Sequence, residues 1–180
     1  FADSSNLGDD ISGNGNDYTS NGLASTDVVP DSPENNFATL LGTSGSWTGT
    51  LQEGNLSATV SGSNNWSELP ATFGVSSGKW YFEAVQAGSN AVKFNVGIIK
   101  AENYHTSSGG DGNTTGSFFY YGAGYFYSNG SSVDYSYGDA FGDGEVVGIA
   151  MDLDNNTIEF YNENVSQGSK PITADTTYLP

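Results

Sequence analysis

The chain contains no cysteine and no arginine, and among its 180 residues there are only four lysines, one histidine and one methionine. Each shortage removes a class of function. Without cysteine there can be no disulfide, no thiolate metal site and no cysteine nucleophile. Four lysines (Lys79, Lys93, Lys100 and Lys170) against 21 carboxylates leave a net charge of −17. Such a chain cannot neutralise a run of phosphates, so nucleic acid is excluded as a partner and anionic membrane surfaces are disfavoured. The longest apolar run, Val146 to Met151, is interrupted by Gly148 and is far too short to cross a bilayer, so no membrane insertion is expected. The lone histidine, His105, would have to meet a serine from a loop, and no nucleophile-elbow motif accompanies it, which makes a Ser-His-Asp triad a poor reading.

What is present points to sheet. Gly, Ser, Thr and Asn make up 82 of the 180 residues, and these residues suit strands joined by many turns better than helix interiors. Aromatic residues at 13% supply enough large apolar surface to fold the chain in spite of its charge. The length is that of one domain, or of one domain carrying part of another. A strongly acidic surface suits solubility in salty surroundings or the binding of divalent cations.

Residues 1–45 read as an extended leader or the end of a preceding jelly-roll-like domain, because their apolar residues keep neither a helical nor a strand period. From there on, short apolar runs alternate with Gly/Asn/Ser clusters every eight to twelve residues or so, as expected of a sandwich or barrel. Trp80, Phe82 and Ala84 form one face of a strand against Tyr81, Glu83 and Val85. Val92, Phe94, Val96 and Ile98 alternate with Lys93, Asn95, Gly97 and Ile99. A strand, turn and returning strand follow over residues 145–162. The predicted core is Trp80, Phe82, Phe94, Val96, Ile98, Val147, Ile149, Met151, Ile158 and Phe160, the inward phases of these strands.

Three segments in this order, SSGKWYFEAV (76–85), VGIIKAE (96–102) and FGDGEVVGIAMDLDNNTIEFYN (141–162), resemble the SPRY domain. The resemblance implies an all-β fold, an antiparallel β-sandwich of concanavalin A-like jelly-roll topology over residues 46–180, with no catalytic activity and with binding through loops at one end. Glu163 stands where the family continues Asn-Gly, so the turn there is expected to differ, and the last strands of the family are expected beyond Pro180. The leader LGDDISGNGNDYT is similar to segments that precede such domains in tail-fibre and adhesin-like proteins of bacteriophages. That likeness implies a virion or extracellular location, a homo-oligomer with other virion or filament subunits as partners, and a host-surface glycan or protein as ligand.

Candidate ligand-binding residues combine rings with short polar groups. The long polar loop from Glu102 to Gly116 contributes Tyr104, His105, Asp111 and Asn113, and the aromatic run 118–127 contributes Tyr125 and Tyr127, since alternate positions of a strand must face outward. The competing reading of that run is an ordinary core with both faces covered. No cofactor is expected, apart from Ca²⁺ as a candidate in the loop of Asp10, Asn14, Asn16 and Asp17, where hard oxygen ligands gather around two glycines, although turn chemistry uses the same residues. Asp152, Asp154, Asn156 and Glu163 match positions of a calcium-binding helix–loop–helix, but Thr157 replaces its glycine and Ile158 and Phe160 alternate as a strand, so a hairpin is the reading here. Two further functions remain open, a carbohydrate-active enzyme of concanavalin-like fold and a purely structural filament or virion subunit.

Overall fold

The computed structural model describes residues 6–28, 36–42, 49–60, 68–88, 94–104, 115–130 and 132–180. After a 3-10 turn at Ser25–Asp27, these residues form eleven strands. They are β1 (Gly49–Gln52), β2 (Ser57–Val60), β3 (Lys79–Val85), β4 (Asn95–Lys100), β5 (Ser117–Tyr121), β6 (Tyr125–Ser128), β7 (Ser132–Asp134), β8 (Val146–Asp152), β9 (Thr157–Asn162), β10 (Val165–Pro171) and β11 (Tyr178–Leu179). Strands β1 and β2 make a separate hairpin. The others form a four-stranded sheet in the order β10-β9-β8-β3 and a five-stranded sheet in the order β11-β4-β5-β6-β7. Every pairing is antiparallel.

The core lies between the two larger sheets, and the period of two decides its membership. Val147, Ile149 and Met151 of β8, Ile158 and Phe160 of β9, Val96 and Ile98 of β4, and Phe118 and Tyr120 of β5 are buried together, with Phe82, Ala84 and Phe94 packed against them. Trp80 is the exception to the expected core. It has the inward phase of Phe82 but is 45% exposed. Burial along β3 begins only at Phe82, and the Trp80 indole N–H turns back to donate to the Ser77 carbonyl at 2.8 Å. Val92, also expected on a strand face, lies outside the described residues.

One end of the core is aromatic. Tyr120 lies 4.9 Å from Phe141, 5.4 Å from Tyr137 and 5.6 Å from Phe160, centroid to centroid. Buried hydroxyls must find acceptors, and these do. Tyr120 donates to the Asp139 carbonyl, Tyr137 to Gly168 at 2.5 Å and Tyr178 to Thr173 at 2.9 Å. On the same side, Lys170 of β10 reaches Asp134 of β7 at 2.7 Å and lies over the Tyr137 ring, so an ion pair and a cation–π contact join the edges of the two sheets.

The turns follow local chemistry. The β9–β10 turn is Glu163-Asn164, with both residues left-handed (φ 48° and 64°), as a two-residue hairpin loop requires. The lost Asn-Gly pair thus leaves the two-residue turn in place, and the Glu163 carboxylate accepts the Val146 N–H at 2.6 Å. The β8–β9 connection is a hairpin, as read from Ile158 and Phe160. In it Asp152 pairs with Lys79 at 2.8 Å, which with the Asn155 amide holds its carboxyl down at about 2.

Phe160 has no exposed surface, so Phe160→Ala should cost about 3–5 kcal/mol in urea denaturation. Burial raises Tyr120 and pushes Tyr137 from the ordinary 10 up to about 12. A folded pKa above the unfolded one gives a contribution that is complete below pH 10 and is lost as the pH climbs toward 12. Stability measured against pH should therefore fall above pH 10, by roughly 2–3 kcal/mol for Tyr137, and Tyr137→Phe should flatten that fall.

Candidate functional site

The outer face of the five-stranded sheet is built by the register of β4, β5 and β6. Phe119 pairs with Gly97 on one side and Tyr127 on the other, and Tyr121 pairs with Asn95 and Tyr125. Gly97 is required there, since a side chain would collide with the Phe118 carbonyl and come within 2.6 Å of the Phe119 backbone and Cβ. The Phe119 ring is buried and stacks on Tyr127, with 5.0 Å between centroids and an interplanar angle of 11°. Tyr121 contacts Tyr125 at 5.8 Å and Tyr127 at 5.9 Å. Tyr135, 68% exposed, meets Tyr125 edge-on at 5.0 Å. The five rings form one continuous row. Burial raises the Tyr127 pKa, with Tyr135, Tyr121 and Tyr125 adding to the effect, so the Tyr127 hydroxyl stays neutral at physiological pH and serves as donor or acceptor. On the same face the Asn95 Oδ1 is buried without a hydrogen-bond partner among the described residues.

At one end of this sheet two connections are tied together. Asn129 and Gly130 take left-handed conformations (φ 55° and 82°) in the β6–β7 turn. The Asn129 side chain accepts the Gly116 N–H at 2.8 Å, and its own N–H donates to Ser117 at 2.8 Å. Across the mouth of the long loop, the Asn103 side chain donates to the Thr115 carbonyl at 2.5 Å and the Lys100 N–H to Gly116 at 3.1 Å.

Of the residues singled out from the sequence, Tyr125 and Tyr127 stand side by side on the outer face. Tyr104 is half-buried in the turn that follows β4, at the tied end. His105, Asp111 and Asn113 lie outside the described residues. Phe119 and Tyr121 belong to the aromatic run, and their place follows from its alternation. Tyr135 was missed because it lies in a turn beyond β7, where no periodicity marks it.

Asp10, Asn14, Asn16 and Asp17 do come together in one exposed loop. Asp10 accepts the Ser12 N–H at 2.9 Å and the Asn16 N–H at 3.0 Å, while Asp17 accepts the Asp10 N–H at 2.9 Å. Ser12 chiefly, and then Asn16, lowers the Asp10 pKa. The carboxylates here brace the loop's own backbone, and no cluster of three His, Cys, Asp or Glu is found among the described residues.

Two antiparallel sheets pack as a β-sandwich, with an outward aromatic row on one of them and tied loops at one end. The SPRY domain model matches residues 79–176, more than half of the chain, and the chain belongs to this family. SPRY domains are typically protein-binding modules and are generally not enzymes. Similar solved structures include stonustoxin, with 20% identity and a TM-score of 0.61 over 79% of this chain and 24% of that one. Another is the PSpry domain of TRIM65, with 16% identity and a TM-score of 0.53 over 79% of this chain and 84% of that one. The SPRY domain of human HERC1 has 20% identity and a TM-score of 0.49 over 62% of this chain and 70% of that one. Among the curated proteins nothing matches.

Asn129→Gly keeps the left-handed turn and removes only the side-chain acceptor. It should cost about 1 kcal/mol and speed hydrogen exchange at the Gly116 amide, while Ile98 in mid-sheet exchanges as before.

Proposed function

We propose that this chain is a non-enzymatic recognition module of an extracellular appendage such as a phage tail fibre, and that it binds a host-surface glycan or protein on its tyrosine row. The row itself is the observation that supports this reading. Large rings with polar tips cover the apolar faces of sugars and also anchor protein contacts, and both uses suit a row of half-buried rings that ends in the exposed Tyr135. The family supports a protein partner in general. The tail-fibre setting rests on the likeness of the leader. Several copies on one fibre would multiply a modest affinity.

Tyr125→Ala and Tyr135→Ala, made together, should reduce retention of the chain on bacterial cells roughly tenfold or more with little change in melting temperature. Pretreatment of the cells with periodate would abolish retention on a glycan, and pretreatment with proteinase would abolish retention on a protein. Shortened polysaccharide after incubation would instead mark an enzyme and end this reading.

A further inference from the structure

The two large sheets have four edges, and three of them are blunted against further pairing. Strand β11 is two residues long and β7 three. Strand β10 carries a bulge between Ser166 and Ser169, a left-handed Gly168 and a terminal Pro171. The fourth edge, β3, is seven residues long and pairs with β8 in unbroken register. Among the described residues no other strand pairs with it. Trp80, Tyr81 and Val85 on this edge are 45%, 54% and 55% exposed.

The backbone groups that face outward can be identified. The Leu153 N–H bonds to the Gly78 carbonyl at 3.0 Å, and the Glu163 N–H to Val146 at 3.0 Å. Since bonded residues alternate along an antiparallel pair, even-numbered positions of β3 bond to β8. Lys79, Tyr81, Glu83 and Val85 therefore point their N–H and C=O groups to the open edge. The first three are self-complementary. A second copy added antiparallel about Tyr81 sets Lys79 opposite Glu83 of that copy twice, Tyr81 opposite Tyr81, and Trp80 opposite Phe82. The strip itself carries one charge of each sign, Glu83 and Lys79, the latter also paired with Asp152 of β8 at 2.8 Å, so the added copy brings opposite charges directly across the new pair, which is favourable.

We propose that β3 is a homodimer interface, in which two copies join their four-stranded sheets edge to edge through antiparallel β3 pairing centred on Tyr81. The proposal is independent of the ligand proposed above. Sedimentation equilibrium of the chain should show a reversible dimer. Glu83→Lys alone and Lys79→Glu alone should each weaken it roughly tenfold or more, because two attractive pairs become two repulsive ones. An equimolar mixture of the two variants should recover a dimer, since both cross-strand pairs are again of opposite sign, and that recovery also shows that both variants are folded. A chain that stays monomeric up to millimolar concentration would overturn the proposal, as would a dimer indifferent to Glu83→Lys. Slow exchange of the Tyr81 and Glu83 amides in a monomer would likewise overturn it, by showing the edge filled from the same chain.

Discussion

Tyr120 and its neighbours are the constraint on which the sandwich depends. A phenol buried between two sheets contributes much apolar surface but costs its hydroxyl's hydration unless an acceptor is near. The Tyr120 acceptor is the Asp139 carbonyl, and the Tyr137 acceptor is Gly168 on β10. Satisfying the two hydroxyls therefore draws the segment between β7 and β8 across the end of the core. That segment is held further by the Asp139 N–H bond to Gln167 at 2.7 Å and the Phe141 N–H bond to Gly122 at 3.0 Å.

The same aromatic run does two jobs because a strand has two faces. Phe118, Tyr120 and Phe126 turn inward and complete the core, while Phe119, Tyr121, Tyr125 and Tyr127 turn outward and make the row. The row is in place before any ligand arrives, because Phe119 is seated on Gly97 and stacked on Tyr127. Little side-chain entropy is then left to lose on binding. The Lys170 pair with Asp134, under the aromatic end of the core, supports this sheet from behind without taking part in the face itself.

The charge of −17 shapes how such a surface can be used. Over most of the molecule like charges keep neighbours apart. The two surfaces proposed for contact, the tyrosine row and the β3 edge, are places where rings reach the surface, Tyr135 at 68% and Tyr81 at 54% exposure. The two surfaces belong to different sheets, so the use of one leaves the other available.

Strand phases and most turns were legible in the sequence. Phe82, Val96, Ile149 and Phe160 declare their side of the sheet by alternation, and Asn129-Gly130 declares its turn, because both signals depend only on neighbours in the chain. Membership of the SPRY family was legible too, through the resemblance of three short segments to that family. What tertiary structure decided was everything that depends on how far one sheet overlaps the other. Trp80 has the right phase but is 45% exposed, which alternation cannot report. Tyr135 joins the row only because its turn folds beside Tyr125. Likewise, that the Asp10 carboxylate accepts the Ser12 and Asn16 N–H groups of its own loop is not given by the spacing of the acids. Sequence periodicity reports the direction a side chain takes from its own strand, whereas burial and partnership depend on distant segments whose approach no local pattern encodes.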